Sequence, residues 1–186
     1  SAMTFEIKFL PPANLEETKP ILRKLASAHR YLAELKGVAM SIPNQTILIN
    51  TLALQEAKDS SAIENIITTH DALYKEQLFS NLLSDAAAKE VSLYAEALKH
   101  GFNLASKNRM LTLNYIIEIQ KRLEQNDAGI RKIPGTVLVN PVSGAVIYTP
   151  PQDYQTILKL MHNLMDYINN REMDNVDPLI KMAVIH

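Results

Sequence analysis

The chain has 186 residues, with 19 basic and 20 acidic side chains and no cysteine. That balance argues against a nucleic-acid or anionic-membrane binder working through a basic surplus, and the missing cysteine excludes disulfides and thiolate metal sites. Hydrophobic residues make up 47%, enough for a single-domain core; no apolar run approaches a membrane span of about 20 residues and no signal peptide is visible, so a cytoplasmic setting without membrane contact is expected.

Ser1-Ala2 ahead of Met3 read as a cloning remnant. Phe5 to Leu10 is short and apolar and is closed by Pro11-Pro12, an edge strand or an extended arm. Asn14 then opens a helix, with Glu16-Glu17 in the first turn where the dipole favours acids. Leu22, Leu25, Ala26, Leu32 and Leu35 keep helical spacing and form its expected core stripe, and Gly37 is its expected stop. Ser41-Ile42-Pro43-Asn44 is a loop, and the next helix carries Ile47, Leu48, Leu52 and Leu54.

That helix runs into Gln55-Glu56-Ala57-Lys58-Asp59-Ser60-Ser61-Ala62-Ile63-Glu64-Asn65. Ser60 and Glu64 are four apart and share a helix face, roughly 40° apart in projection. Ile63, Ile66 and Ile67 give an apolar flank, and Asn65 can take a left-handed cap. A carboxylate near a helix C-terminus is disfavoured by the local dipole and calls for a partner cation. By spacing alone, Glu64 is a solvated side chain.

Thr69 to Phe79 is a further amphipathic helix, and Asp85 to His100 another, with Val91, Tyr94, Ala95 and Leu98 on one side and Gly101 as its end. Leu111 to Leu123 forms a long helix with Leu113, Ile116, Ile117 and Ile119 buried, ended by Asp127-Ala128-Gly129. Then the character changes. Thr136-Val137-Leu138-Val139 and Ala145-Val146-Ile147-Tyr148-Thr149 are β-branched runs around Asn140-Pro141-Val142-Ser143-Gly144, which is turn chemistry. They read as one hairpin in a helical protein, and a lone hairpin must pack on helices or have a use. Asp153 introduces a helix through Ile157, Leu160, Met161, Leu164 and Ile168, and Asp177-Pro178 caps a last, heavily apolar one.

Other chemistry finds no pattern. His29, His70, His100, His162 and His186 lack zinc spacing, there is no Gly-rich Lys-Ser/Thr phosphate loop, and no serine sits in a nucleophile elbow.

Ser60-x-x-x-Glu64-Asn65 resembles the Ser/Thr-x-x-x-Glu-Gly/Asn motif of Fic-domain proteins with an N-terminal inhibitory helix. The match extends in order from Leu10-Pro11-Pro12 through Leu35-Lys36-Gly37, Ile42-Pro43-Asn44 and Ser61 to Asn65, with Val91, Tyr94 and Ala97-Leu98 further on. The resemblance implies a mainly α, Fic-like helical bundle with one β-hairpin flap. It implies an N-terminal region over 4–80 with the inhibitory helix, and a first part of the catalytic core over 81–186 including the flap at 136–149. The function implied is transfer of AMP from ATP, with Mg2+, to a hydroxyl of another protein. In that scheme Glu64 pairs with an arginine of the catalytic region and holds ATP in an unproductive pose, Ser60 braces the helix, and Asn65 stands where glycine is commoner. The flap residues Val137, Leu138, Val139, Ile147 and Tyr148 would hold the target protein by main-chain hydrogen bonds. Homodimers are common in the family.

The family's His-Pro-Phe-x-x-Gly-Asn-Gly-Arg loop, with its general base, is not among these residues, and His186 is no substitute for its histidine. The chain is therefore read as ending before the catalytic motif and as holding no catalytic residue, so that it is inactive alone. Two alternatives stay open: an antitoxin-like regulatory module without enzymatic activity, and a Fic-type hydrolase that removes AMP with Glu64 positioning water.

Overall fold

The computed structural model describes residues 6–79 and 85–186. The described residues form seven helices and one hairpin: α1 Lys19–Ala39, α2 Gln45–Ile63, α3 His70–Phe79, α4 Ala86–Asn108, α5 Leu113–Glu124, β1 Leu138–Val139, β2 Val146–Tyr148, α6 Tyr154–Asn169 and α7 Pro178–Ile185. This is the expected mainly α bundle with a β-hairpin. Residues 1–5, with the presumed remnant and Phe5, and the expected boundary at 80/81 lie outside the described residues. The chain divides into two compact units, one of residues 26–109 and 114–127, the other of 1–25, 110–113 and 128–186.

Helix α1 departs from expectation at both ends. It starts at Lys19, not Asn14, because Pro20 has no N–H for a carbonyl four residues back and its ring would clash there. Pro20 is tolerated only in a first turn, so Glu16 and Glu17 fall outside the helix. At the other end the helix passes through Gly37 to Ala39, and the Ser41 hydroxyl donates to the Val38 carbonyl at 2.7 Å. The leucine stripe is also not a core: Leu22, Leu32 and Leu35 are exposed and α1 has no buried residue. Periodicity states which face is apolar; it does not supply the surface that covers it.

In the first unit α2 and α3 pack on α4. Asn44 caps α2, its side chain accepting from the Thr46 amide at 3.0 Å. The face α2 buries is made of Ala53, Leu54, Ala57 and Ser61, and the core adds Leu73, Ala88, Val91 and Ala95. Four of these, Ala53, Ala57, Ala88 and Ala95, are alanines that let α2 and α4 approach closely. Ile66, Ala72 and Tyr94 pack against this cluster, while Leu98 is exposed. Helix α4 does not end at Gly101. It continues to Asn108 and stops at Arg109, whose φ of 53° is left-handed. Gly101 serves instead for closeness to α5: a Cβ there would lie 2.7 Å from Ile119 Cδ1. Helix α5 begins at Leu113 rather than Leu111 and ends at Glu124 before left-handed Gln125, with Leu113, Ile116, Ile117 and Ile119 half-buried rather than buried.

In the second unit the irregular main chain is held by amide side chains around α6. Asn163 accepts from the Leu10 amide at 2.7 Å and donates to the Leu10 carbonyl at 2.9 Å, and residues 6–9, the arm that leads into Leu10, are not a strand. Asn169 does the same for Leu111, at 2.8 and 2.6 Å. Asp153 caps α6 through the Thr156 amide at 2.7 Å, and that bond holds its carboxyl below the usual range. The buried residues of α6 are Met165 and Tyr167; Ile157, Leu160, Met161, Leu164 and Ile168 are half-buried. Asp177 caps α7 by accepting from the Leu179 amide at 2.9 Å, with Pro178 at the first position.

The Gly101 contact makes a stability prediction. Gly101→Ala gains about 1 kcal/mol of helix propensity but crowds Ile119 at a similar cost. Alone it should leave stability within about 1 kcal/mol of the parent, whereas on an Ile119→Ala background it should stabilise by about 1 kcal/mol. Urea unfolding of the four proteins checks this; equal effects on both backgrounds would refute the contact.

Candidate functional site

The end of α2 is built by three main-chain bonds. The Glu64 amide donates to the Ser61 carbonyl at 3.0 Å, the Asn65 amide to Ala62 at 3.1 Å and the Ile66 amide to Ser61 at 3.0 Å. The last two are the paired bonds of a Schellman motif, which requires a left-handed residue just past the cap. Asn65 is that residue, with φ of 64°. The Gly/Asn alternation in the motif therefore has a folding reason: these are the residues that enter the left-handed region at least cost. Ile66 is carried inward against the core cluster, which fixes the turn.

Glu64 is the cap residue itself and is exposed. Among the described residues its carboxylate forms no ion pair, so the partner cation that its place beside the helix C-terminus calls for is not supplied by them. Of the expected apolar flank, Ile63 is 84% and Ile67 74% exposed, and only Ile66 packs inward. Ser60 does not turn toward Glu64. Its hydroxyl donates to Glu56 Oε1 at 2.7 Å, one turn back on the same helix, beside the Gln55–Asp59 pair at 2.7 Å. Ser61, the neighbouring serine, is the buried one, and its carbonyl takes two of the three bonds that close the helix.

The flap lies in the other unit. β1 and β2 pair antiparallel with Leu138 opposite Tyr148 and Val139 opposite Val146, so Ile147 is an extra residue without a cross-strand partner. The turn is set by Asn140, whose side chain accepts from the Val142 and Ser143 amides at 2.9 and 3.0 Å, and by Gly144 at φ of 68°. Gln152 closes the base: it accepts from the Gly135 amide at 2.6 Å and donates to the Thr136 carbonyl at 2.9 Å. Arg131 adds a bond to the Pro151 carbonyl. The base is thus anchored, while Val137, Leu138, Val139 and Ile147 are exposed and Tyr148 is half-buried. An exposed two-stranded ribbon of this kind offers unpaired edge amides and carbonyls to another chain.

One cluster has no counterpart in the sequence reading. The Tyr167 hydroxyl bonds Asp174. Lys181 Nζ donates to the Asn170 carbonyl at 2.7 Å, lies 3.5 Å from Asp174 Oδ1 and sits 4.3 Å from the centre of the Tyr167 ring. The Asp174 and Lys181 side chains are only 10% and 11% exposed, so this is a near-buried ion pair that fixes the turn from α6 to α7. Burial and the neighbouring carboxylate push the Tyr167 hydroxyl up to about 12. The three residues are seven apart along the chain, and only the reversal between α6 and α7 brings them together.

Residues 22–103 match the model of the Fic/DOC family N-terminal region. Over that stretch the chain is similar to the Fic/DOC family. The matched Fic/DOC segment holds α2, the Glu64–Asn65 cap, α3 and the first part of α4; the flap, α6 and α7 lie outside it. Among the described residues no three histidine or carboxylate side chains gather as metal ligands, and the Glu64 anion would repel a phosphate beside it. Among them, too, no helix is long and apolar enough to cross a membrane.

Two predictions follow from this geometry. Asn65→Gly should keep the stability of the chain, and Asn65→Val should lower it by roughly 1–2 kcal/mol, measured by urea unfolding; equal stability of the two variants would refute the left-handed cap. Tyr167 keeps its proton in the folded chain where an unfolded tyrosine, at 10.0, has lost it. Its contribution is complete below that value and falls as pH rises through about 12. Between about pH 8 and about pH 11 the parent should therefore lose more stability than Tyr167→Phe, and parallel losses would exclude the cluster.

Proposed function

We propose that this chain is the regulatory and target-docking part of a Fic-type protein adenylyltransferase, a protein that moves AMP from ATP to a hydroxyl of another protein. The observation that carries the reading is the Glu64 cap. A carboxylate without an ion pair among the described residues stands on a Schellman turn, at the negative end of a helix, between two isoleucines that are each more than 70% exposed. Nothing in the folding of α2 requires an acid there, since the turn is made by main-chain bonds and by Asn65. An unfavourable anion on an apolar rim fits a group kept for a cation, and in this reading the cation is an arginine of the catalytic region. While the pair is formed, that arginine is unavailable to the ATP phosphates and transfer is suppressed. Ser60 and Glu56 then stiffen the last turns of α2, and Asn65 holds the carboxylate at its place. Magnesium would accompany ATP in the catalytic region.

The hairpin is the docking element in the same proposal. Its base is pinned by Gln152 and Arg131 while its edge stays open, which suits main-chain addition by an extended target segment with little demand on sequence.

The general base of such a transfer is not among these residues, so the 186-residue polypeptide by itself should not label a target. In a protein that also carries the histidine loop, Glu64→Gly should raise transfer of labelled AMP, by an order of magnitude or more if the pair is worth about 1.4 kcal/mol or more. Equal labelling by parent and variant would overturn the inhibitory role. Labelling by the chain alone would overturn the division of roles. Faster removal of AMP from a labelled target, without faster transfer, would favour the hydrolase.

A further inference from the structure

A cleft of ≈ 490 Å³ opens beside the exit of β2. One wall is Ile7 and Phe9 of the extended arm; the other is Tyr148, Pro150 and Pro151, with Leu160 of α6 also lining it. All these residues belong to one compact unit. Phe9 is 59% exposed and Ile7 44%, an unusual display for large apolar side chains on a segment whose end is held fast by the two Asn163–Leu10 bonds. The arm wall is therefore a held surface at its Leu10 end and not a loose tail.

Resting on the docking role proposed for the hairpin, we infer that this cleft takes a large apolar side chain, aromatic or aliphatic, of the same extended target segment that pairs with the outer edge of β2. The two surfaces are continuous, because Tyr148 ends the strand and also lines the cleft, together with Thr149. Ile147, the bulged residue of β2, is exposed next to Tyr148. Main-chain recognition must then stop, since Pro150 and Pro151 have no N–H to donate. At Pro150 and Pro151 no main-chain donor remains, and what the chain presents there is mostly apolar, with Glu6, Thr156 and Lys159 as the polar part of the lining. The volume lies within the range of about 300–1,000 Å³ for small-ligand sites and so leaves ample room for one large side chain. Edge pairing alone reads no sequence. The cleft adds a preference for one large apolar residue placed just past the paired stretch of the target.

Titration of the 15N-labelled chain with blocked peptides of alternating threonine and valine tests this. One pair of probes carries phenylalanine at the amino or the carboxyl end, covering both strand directions, and a second pair carries serine there. One phenylalanine probe should bind roughly tenfold tighter than its serine counterpart, as burial of one large apolar side chain allows, and should shift the amides of Ile7, Phe9 and Tyr148. Phe9→Ser, a change at an exposed position, should remove that preference and leave the shifts at Val146 and Ile147. Equal binding of both probes with shifts confined to β2 overturns the cleft but leaves edge docking standing. No shift at either place overturns both readings. Shifts at Phe9 that appear on concentrating the chain without peptide overturn the target assignment in favour of a second copy.

Discussion

The unit that carries the hairpin rests on a single device: amide side chains that act as main-chain surrogates. Long stretches of this unit are neither helix nor paired strand, and their peptide groups still need partners when they are drawn against α6. Asn163 serves Leu10, Asn169 serves Leu111, and Gln152 serves Gly135 and Thr136. Each amide both donates and accepts, as a neighbouring strand would. Remove one and two main-chain groups lose their partners, at about 1–3 kcal/mol for each that stays buried. Because the arm and the hairpin base are fixed in this way, their apolar side chains can remain on display without the segments collapsing onto the helices.

The other unit solves a different problem. Its core is small and alanine-rich, so α2 and α4 lie close together, and the end of α2 is set by the bonds of its own main chain. That leaves Glu64 free of any duty in folding. The contrast with Ser61 is instructive: Ser61 is buried and its carbonyl closes the helix, whereas Ser60 is spent on a bond to Glu56. A motif position and a structural position one residue apart thus carry different work. Asn65 likewise meets a backbone requirement, its φ of 64° lying in the left-handed region.

Gly101 and Lys181 show a further theme, that residues with an ordinary local meaning acquire another one across helices. Glycine is a helix stop when read along the chain, and a contact surface for Ile119 when read across it. Lys181 sits in an otherwise apolar run, yet its ammonium reaches the carbonyl at the end of α6, Asp174 and the face of Tyr167. The direction in which α7 leaves the bundle is set by that polar contact as much as by its apolar side chains.

Much of this was legible in the residues themselves. The caps at Asp153 and Asp177, the left-handed Asn65 and the hairpin turn at Asn140–Gly144 are local, because a side chain one to three residues away satisfies or bends the backbone. The Ser60–Asn65 motif was legible for the same reason, being contiguous. What the chain in isolation left undecided was everything that depends on distant neighbours: that the α1 leucine stripe is exposed, that α4 runs through Gly101, that Asn163 and Asn169 grip Leu10 and Leu111, and that Tyr167, Asp174 and Lys181 meet. Periodicity marks an apolar face and local chemistry marks a turn, but partners separated by up to 153 positions are chosen only when the chain folds back on itself.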